Sequence, residues 1–165
     1  MGAHSPALVA VSSNRGAAYD VVLLAHVLSA FAGFGAVAVA GLYALTLARR
    51  GTTPESVRRY YRPGVNWAGR ILFLVPVLGV VLIIMSQGAW SLADGWVGLG
   101  LVLWAVAATA AELMLWPAER ELQQLVATDS FDPDRHRSLA RRVVGVAAGL
   151  VVLFVVVTVV MVAKP

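Results

Sequence analysis

The chain has 165 residues, of which 59% are hydrophobic and only 13% are charged, with a net charge of +4. Soluble domains carry about 25% charged residues, so this composition excludes an ordinary water-soluble domain and is typical of a membrane protein. There is no cysteine, which excludes disulfides and thiolate metal sites. The basic residues flank apolar segments and form no organised stacking surface, so we expect no nucleic-acid partner.

The first apolar segment, residues 21–47, organises the rest of the chain. It contains a single ionisable side chain, His26. Since about 20 residues at a rise of about 1.5 Å cover the hydrocarbon core of a bilayer, it predicts a membrane helix over about 20–48. Small residues at every fourth position form a low ridge that lets a neighbouring helix approach, so we expect this face to pack against protein. The ridge consists of Ala32, Ala36, Ala40, Ala44 and Ala48.

The connection over residues 49–70 is strongly basic and contains six arginines. It predicts a short amphipathic helix over 55–62 that lies at the membrane surface. On this prediction Tyr60, Tyr61 and Trp67 lie at the depth of the lipid headgroups, where aromatic residues concentrate.

The second membrane helix is predicted over about 66–88. It contains Pro76, which removes one backbone hydrogen bond and predicts a kink. We interpret the kink as a packing feature. The third helix is predicted over about 97–116, and beyond Pro117 a polar segment either continues the helix or restarts it outside the membrane.

The fourth helix is predicted over about 133–163, with Asp132 as N-cap and Pro133 in the first turn. Its apolar part is rich in valine, but an isolated strand cannot satisfy its backbone in lipid, so a helix is expected. Gly145 and Gly149 form a GxxxG face suited to close helix packing.

The distribution of basic residues predicts the orientation. Six Lys or Arg residues lie between the first and second helices, five between the third and fourth, and none between the second and third. The positive-inside rule therefore places both long basic connections in the cytoplasm and both termini outside. The predicted fold is an all-α four-helix transmembrane bundle forming one membrane domain, residues 1–165. The Ala- and Arg-rich composition, with Lys164 as the single lysine, indicates a bacterium and hence the plasma membrane.

His26 is the first candidate functional residue, because ionisable groups inside a bilayer are costly. A neutral imidazole can bind haem iron or copper, or relay protons. The alternative is a packed histidine that hydrogen-bonds a hydroxyl or a carbonyl. His4 and His136 are expected outside the helices on opposite sides of the membrane, so one chain does not provide two histidines between its helices. Ser86, Gln87 and Asp94 share the outer side with His26 and are expected to orient its ring.

Glu112, near the cytoplasmic end of the third helix, is the second candidate. Buried without a cation it is suited to carrying protons, whereas beside an arginine it forms a structural ion pair. We expect the ion pair, with Arg70 as partner and Arg49 or Arg142 as alternatives; the expected buried polar residues are Glu112, Arg70 and Gln87. His26 and Glu112 are placed in opposite leaflets, roughly 15–20 Å apart given a core of about 30 Å, too far for an acid–base pair.

No phosphate-binding glycine loop, zinc-type cluster or nucleophile–base pair is present, so no catalytic residue is predicted. The composition favours a non-enzymatic accessory or assembly subunit that acts through helix packing, as a homodimer or in a larger membrane complex. The alternatives are a haem-, porphyrin- or copper-binding protein that uses His26, and a small proton-coupled transporter that uses Glu112.

A family resemblance rests on His26 and the small-residue-rich helix that follows it, with Gly33 and Gly35, in a four-span chain. This pattern resembles a family of bacterial predicted integral membrane proteins of unknown function. More remotely it is similar to the copper-resistance CopD-type and the HemJ-type protoporphyrinogen oxidase membrane domains, with Arg70 and Glu112 as further matches. HemJ-type proteins pair the histidine with an intramembrane lysine, and this chain has none there. The resemblance therefore implies the fold, and haem as the alternative cofactor, but not that activity.

Overall fold

The computed structural model describes residues 16–50, 54–128 and 132–163. Within these residues the chain is helical and contains no strand. Five helices follow one another: α1 (Ala17–Arg50), α2 (Glu55–Tyr60), α3 (Trp67–Met85), α4 (Gly95–Ala127) and α5 (Pro133–Ala163). Four of them, α1, α3, α4 and α5, are long and apolar enough to cross a membrane. The predicted all-α bundle with four membrane helices is confirmed.

The third predicted helix does not end at residue 116, because α4 runs on through Pro117 to Ala127. Proline cannot donate to the carbonyl four residues earlier, here that of Leu113, and its ring crowds that carbonyl. The turn Ala111–Leu115, directly before the proline, is π-helical. This wider turn accommodates the proline, so α4 continues without a break.

Pro76 in α3 is accommodated in a different way. A 3₁₀ turn at Ile71–Phe73 precedes it, and the carbonyl of Leu72 receives no α-helical donor from the proline nitrogen. The indole Nε1 of Trp104 on α4 donates to that carbonyl at 3.1 Å. The irregular backbone is thus satisfied by a neighbouring helix, as expected of a packing feature in lipid.

α1 packs mainly against α5 and α3, while α4 packs mainly against α5. Two glycines allow α1 to approach its neighbouring helices closely. A Cβ atom added at Gly33 would lie 2.9 Å from the backbone nitrogen of Leu72 on α3, and one at Gly41 would lie 2.8 Å from the Cβ of Ala147 on α5. Between α3 and α4 the contacts are made by long side chains, chiefly Phe73 with two tryptophans, Trp104 and Trp116.

The alanine ridge of α1 packs against protein along only part of its length. Ala40 and Ala44 are buried, Ala36 and Ala48 are partly buried, and Ala32 is exposed. The prediction therefore applies to the C-terminal half of α1.

The basic connection does not simply lie on the surface. α2 ends at Tyr60, and both Val57 and Tyr61 are fully buried. The Tyr61 hydroxyl donates to the carbonyl of Ala40 on α1 at 3.1 Å, and the Tyr60 ring stacks on Tyr43 with ring centroids 4.4 Å apart. The depth of Tyr61 in the membrane stays a prediction, but its ring fills the core of the bundle and its hydroxyl finds a backbone acceptor.

Candidate functional site

His26 lies on α1 and faces α3. Its Nδ1 is 2.9 Å from the carbonyl oxygen of Val75 and donates to it. The ring lies against Gly79, where an added Cβ would come within 3.4 Å of the imidazole Cε1. The half-buried histidine thus has the carbonyl partner that the packed alternative requires.

The hydrogen bond from Nδ1 also determines what the other ring nitrogen can do. With the proton on Nδ1, Nε2 keeps its lone pair and is the atom able to bind a metal or accept a proton. Among the described residues no hydrogen-bond partner is seen for Nε2. With this tautomer, Nε2 is the one ring nitrogen of His26 that is available to bind a metal.

The polar residues expected to orient His26 have other roles. The Ser86 hydroxyl donates to the Ile83 carbonyl at 2.7 Å, and Asp94 accepts from the Ser91 amide. Gln87 was expected to be buried and is exposed, because α3 ends at Met85 and the chain reverses through residues with positive φ. The φ angle of Gln87 is 52° and that of the following glycine is 87°.

In the described ranges, no group of three or more His, Asp or Glu residues is placed to hold a metal. His136 is buried at the start of α5, and its Nδ1 lies 2.8 Å from the Asp132 carbonyl oxygen. His4 lies outside the described residues. Among the described residues, His26 is the histidine that would hold a haem between the helices, because His136 lies at the start of α5.

Glu112 lies in the π turn of α4 and is partly buried, beside the exposed Leu113. The expected ion pair with Arg70 is not formed. The Arg70 guanidinium instead lies over the ring of Trp116, 4.7 Å from its centroid, which provides a favourable cation–π contact. Over the described residues the ion pairs join Arg135 to Glu121 and Arg137 to Asp134, so neither Arg49 nor Arg142 pairs with Glu112.

His26 and Glu112 are associated with different parts of α3. His26 contacts the C-terminal part through Val75 and Gly79. Glu112 precedes Trp116 by one turn, and Trp116 lies beside Arg70 at the N-terminal end of α3. No contact joins the two candidates, in line with the prediction that they do not form an acid–base pair.

A polar cluster that the sequence analysis missed joins the basic connection to α4; we call Tyr60, Tyr61, Asn66 and Glu119 the connection cluster. Glu119 is only 3% exposed. The Asn66 side-chain nitrogen donates to Glu119 Oε1 at 3.1 Å, and the Asn66 oxygen accepts from the Gly69 amide at 3.2 Å as the N-cap of α3.

One sequence signal predicts this burial. The segment after Pro117 looks solvated from composition alone, yet its apolar residues Ala118, Leu122 and Val126 recur at every fourth position, the spacing of one helix face. The buried face of this segment also includes Glu119 and Gln123. This periodicity indicates a helix face that packs against protein, and Glu119 lies on that face.

The two tyrosines of the connection cluster stay neutral. Burial, assisted by the Glu119 carboxylate, raises the pKa of Tyr60 to about 12, with the hydrogen bond to Asn66 acting in the opposite direction. Burial and then Glu119 also raise the pKa of Tyr61 above its ordinary value. Both hydroxyls therefore remain protonated beside the carboxyl group at neutral pH.

Comparison with known proteins agrees with this architecture. No curated protein and no solved structure matches the chain. One family description, predicted integral membrane protein (DUF2269), matches residues 20–165, which include all four membrane helices. The chain therefore belongs to this family of multi-pass integral membrane proteins of uncharacterised function.

Proposed function

We propose that the protein is a non-enzymatic subunit of the bacterial plasma membrane that associates with a second copy of itself through the outer face of α5. In this arrangement both basic connections face the cytoplasm. The observation that carries the proposal is the direction of the GxxxG pair. Gly145 and Gly149 are exposed, and a Cβ added at either would meet no atom within 4 Å.

Some of the other helical glycines are explained by contacts within the chain, whereas Gly35 and Gly98 have no atom within 4 Å of an added Cβ. Gly33, Gly41 and Gly100 each lie against a neighbouring helix. Since glycine is about 1 kcal/mol less favourable than alanine in a helix, an outward pair at GxxxG spacing is best explained by a helix outside the chain.

The outward glycines belong to a longer face. Val152 and Val156 continue it and are 64% and 44% exposed. Such a face is self-complementary, so two copies can meet about a two-fold axis. Lipid contact is certain for any integral membrane chain; the second copy is the proposed partner.

The test is association between differently labelled copies in liposomes, followed by energy transfer. The double variant Gly145→Leu/Gly149→Leu should weaken association at least about tenfold, or about 1.4 kcal/mol. Gly35→Leu is the matched control, because Gly35 is also exposed with no atom within 4 Å of an added Cβ, but lies on α1. Equal association of both variants, or a monodisperse wild-type monomer in mild detergent, contradicts the proposal.

The second candidate is a haem-, porphyrin- or copper-binding protein, and the hydrogen bond from His26 Nδ1 to the Val75 carbonyl favours it. His26 would hold the group through Nε2, and a bound haem would supply one-electron chemistry. A Soret band or bound copper in the purified protein that is lost in His26→Ala supports this function. Colourless, metal-free protein contradicts it.

The third candidate is a proton-coupled transporter that uses Glu112. Its position in a π-helical turn favours this function, since such turns are frequent at functional sites. Glu112→Gln should then abolish proton-driven export of a hydrophobic cation such as tetraphenylphosphonium from vesicles. Unchanged export in this variant eliminates the transporter.

A further inference from the structure

Glu119 is a buried titratable group that none of these functions uses. We propose that Glu119 is a proton-binding site, which in its protonated form holds residues 54–66 against the bundle and on ionisation loosens them. The neutral carboxyl and the docked connection are then one state, and the carboxylate and a loosened connection are the other.

The burial of Glu119 favours the protonated carboxyl group over the charged carboxylate. The residue is 3% exposed, and a charge removed from water is costly unless a cation compensates it. No described cation lies within ion-pair distance, since the ion pairs of this part of the chain involve Glu121 and Asp134. The hydrogen-bond partner of Glu119 is the neutral amide of Asn66. A bound proton removes the uncompensated charge.

The geometry links this carboxyl group to three helices. Asn66 bonds Glu119 of α4 through its nitrogen and the first turn of α3 through its oxygen. Burial and then the Glu119 carboxylate raise the pKa of Tyr61. The Tyr61 hydroxyl donates to the Ala40 carbonyl of α1. Ionisation places a negative charge among buried neutral groups. Water must then reach the carboxylate, which loosens residues 54–66 from the bundle.

The other titratable groups around the connection cluster do not replace the proton. On α1, Tyr43 stacks on Tyr60; on α3, Arg70 lies over the Trp116 ring; on α5, His136 bonds the Asp132 carbonyl. The arginines of the connection point to the exterior and are exposed. They are Arg58, Arg59 and Arg62.

Two measurements on the full-length protein in liposomes test the proposal. Infrared titration from about pH 5 to about pH 10 follows the C=O band of a protonated carboxylic acid. We expect the band to be present at neutral pH, to disappear at alkaline pH and to be missing in Glu119→Gln. Glu112→Gln is the matched control and should retain it. Hydrogen exchange of the amides of residues 54–66, corrected for intrinsic rates, should accelerate at least about tenfold as the band disappears.

The same exchange should not depend on pH in Glu119→Gln, because the amide is neutral throughout. A Glu119 carboxylate that is already ionised at the acid end overturns the proposal, as does a band that titrates without any change in exchange. The titration of the wild-type protein decides the question even if the variant fails to fold.

Discussion

Replacing Gly33 by alanine tests a close approach of α1 to the backbone of α3. The added Cβ would lie 2.9 Å from the backbone nitrogen of Leu72 and 3.0 Å from its Cα. Backbone atoms cannot rotate away as a flexible side chain can, so α1 and α3 must separate. Separation by about half an ångström restores ordinary contact distances but reduces packing along the whole α1–α3 contact, including the His26–Val75 hydrogen bond.

The magnitude follows from overpacking. Extra methyl groups forced into a well-packed site cost about 1–3 kcal/mol. Alanine is also a better helix former than glycine by about 1 kcal/mol, which offsets part of this cost. We therefore expect Gly33→Ala to be less stable than the wild type by up to about 2 kcal/mol.

Gly35→Ala is the control, two residues further along the same helix. A Cβ at Gly35 meets nothing within 4 Å, so the helix-propensity gain acts alone and stability should be unchanged or slightly higher. Unfolding of the purified protein by a denaturing detergent, followed by far-ultraviolet circular dichroism, compares the two. The reasoning is refuted if Gly33→Ala unfolds no more readily than Gly35→Ala.

Three other outcomes follow from the hydrogen bonds and charges described above. Trp104→Phe keeps the aromatic contact with Phe73 but removes the indole donor to the Leu72 carbonyl. It should destabilise the protein by about 1–3 kcal/mol in the same unfolding assay. An unchanged unfolding midpoint would show that another donor satisfies this carbonyl. Tyr61→Phe leaves the Ala40 carbonyl without its hydroxyl donor, so it should cost about 1 kcal/mol and accelerate hydrogen exchange in residues 54–66; exchange equal to that of the wild type would contradict the anchoring role. Because the pKa of Tyr60 is raised to about 12, folding favours its neutral form. The contribution of neutral Tyr60 to the free energy of unfolding is complete below the unfolded pKa of about 10. It decreases as the pH rises from about 10 to about 12. The unfolding midpoint should fall over that range, and less steeply in Tyr60→Phe; parallel curves for the two proteins would contradict the assignment.

The four membrane helices were predictable because lipid imposes a strict requirement. A backbone that has no contact with water must form all its hydrogen bonds within the protein. An apolar run of about 20 residues therefore folds as a membrane-spanning helix. The end of the third helix was not predictable in the same way. Pro117 is compatible with a helix end or with a distorted continuation, and packing of α4 against α5 selects the continuation.

The site residues show where composition is ambiguous. Tyrosine suits both a headgroup layer and a core with a carbonyl acceptor, so the sequence did not reveal that Tyr61 is buried in the bundle. Arg70 and Glu112 have complementary charge, but the sequence does not reveal that Trp116 offers the arginine a closer partner. For His26 the sequence left a carbonyl partner as one alternative, and Val75 supplies it. Glu119 was overlooked because a polar segment was equated with a solvated one.

The packing of both α3 and α5 against α1 has a consequence for the order in which the fold is assembled. Membrane chains are synthesised from the N-terminus, so the helix on which α3 and α5 pack is available before either of them. The partner of α4 comes last: until residues 133–163 enter the membrane, α4 is joined to the rest chiefly through Phe73, Trp104 and Trp116. Completion of the fold thus waits for the final segment, and a nascent chain that stops before it leaves a loosely held hairpin for quality-control proteases.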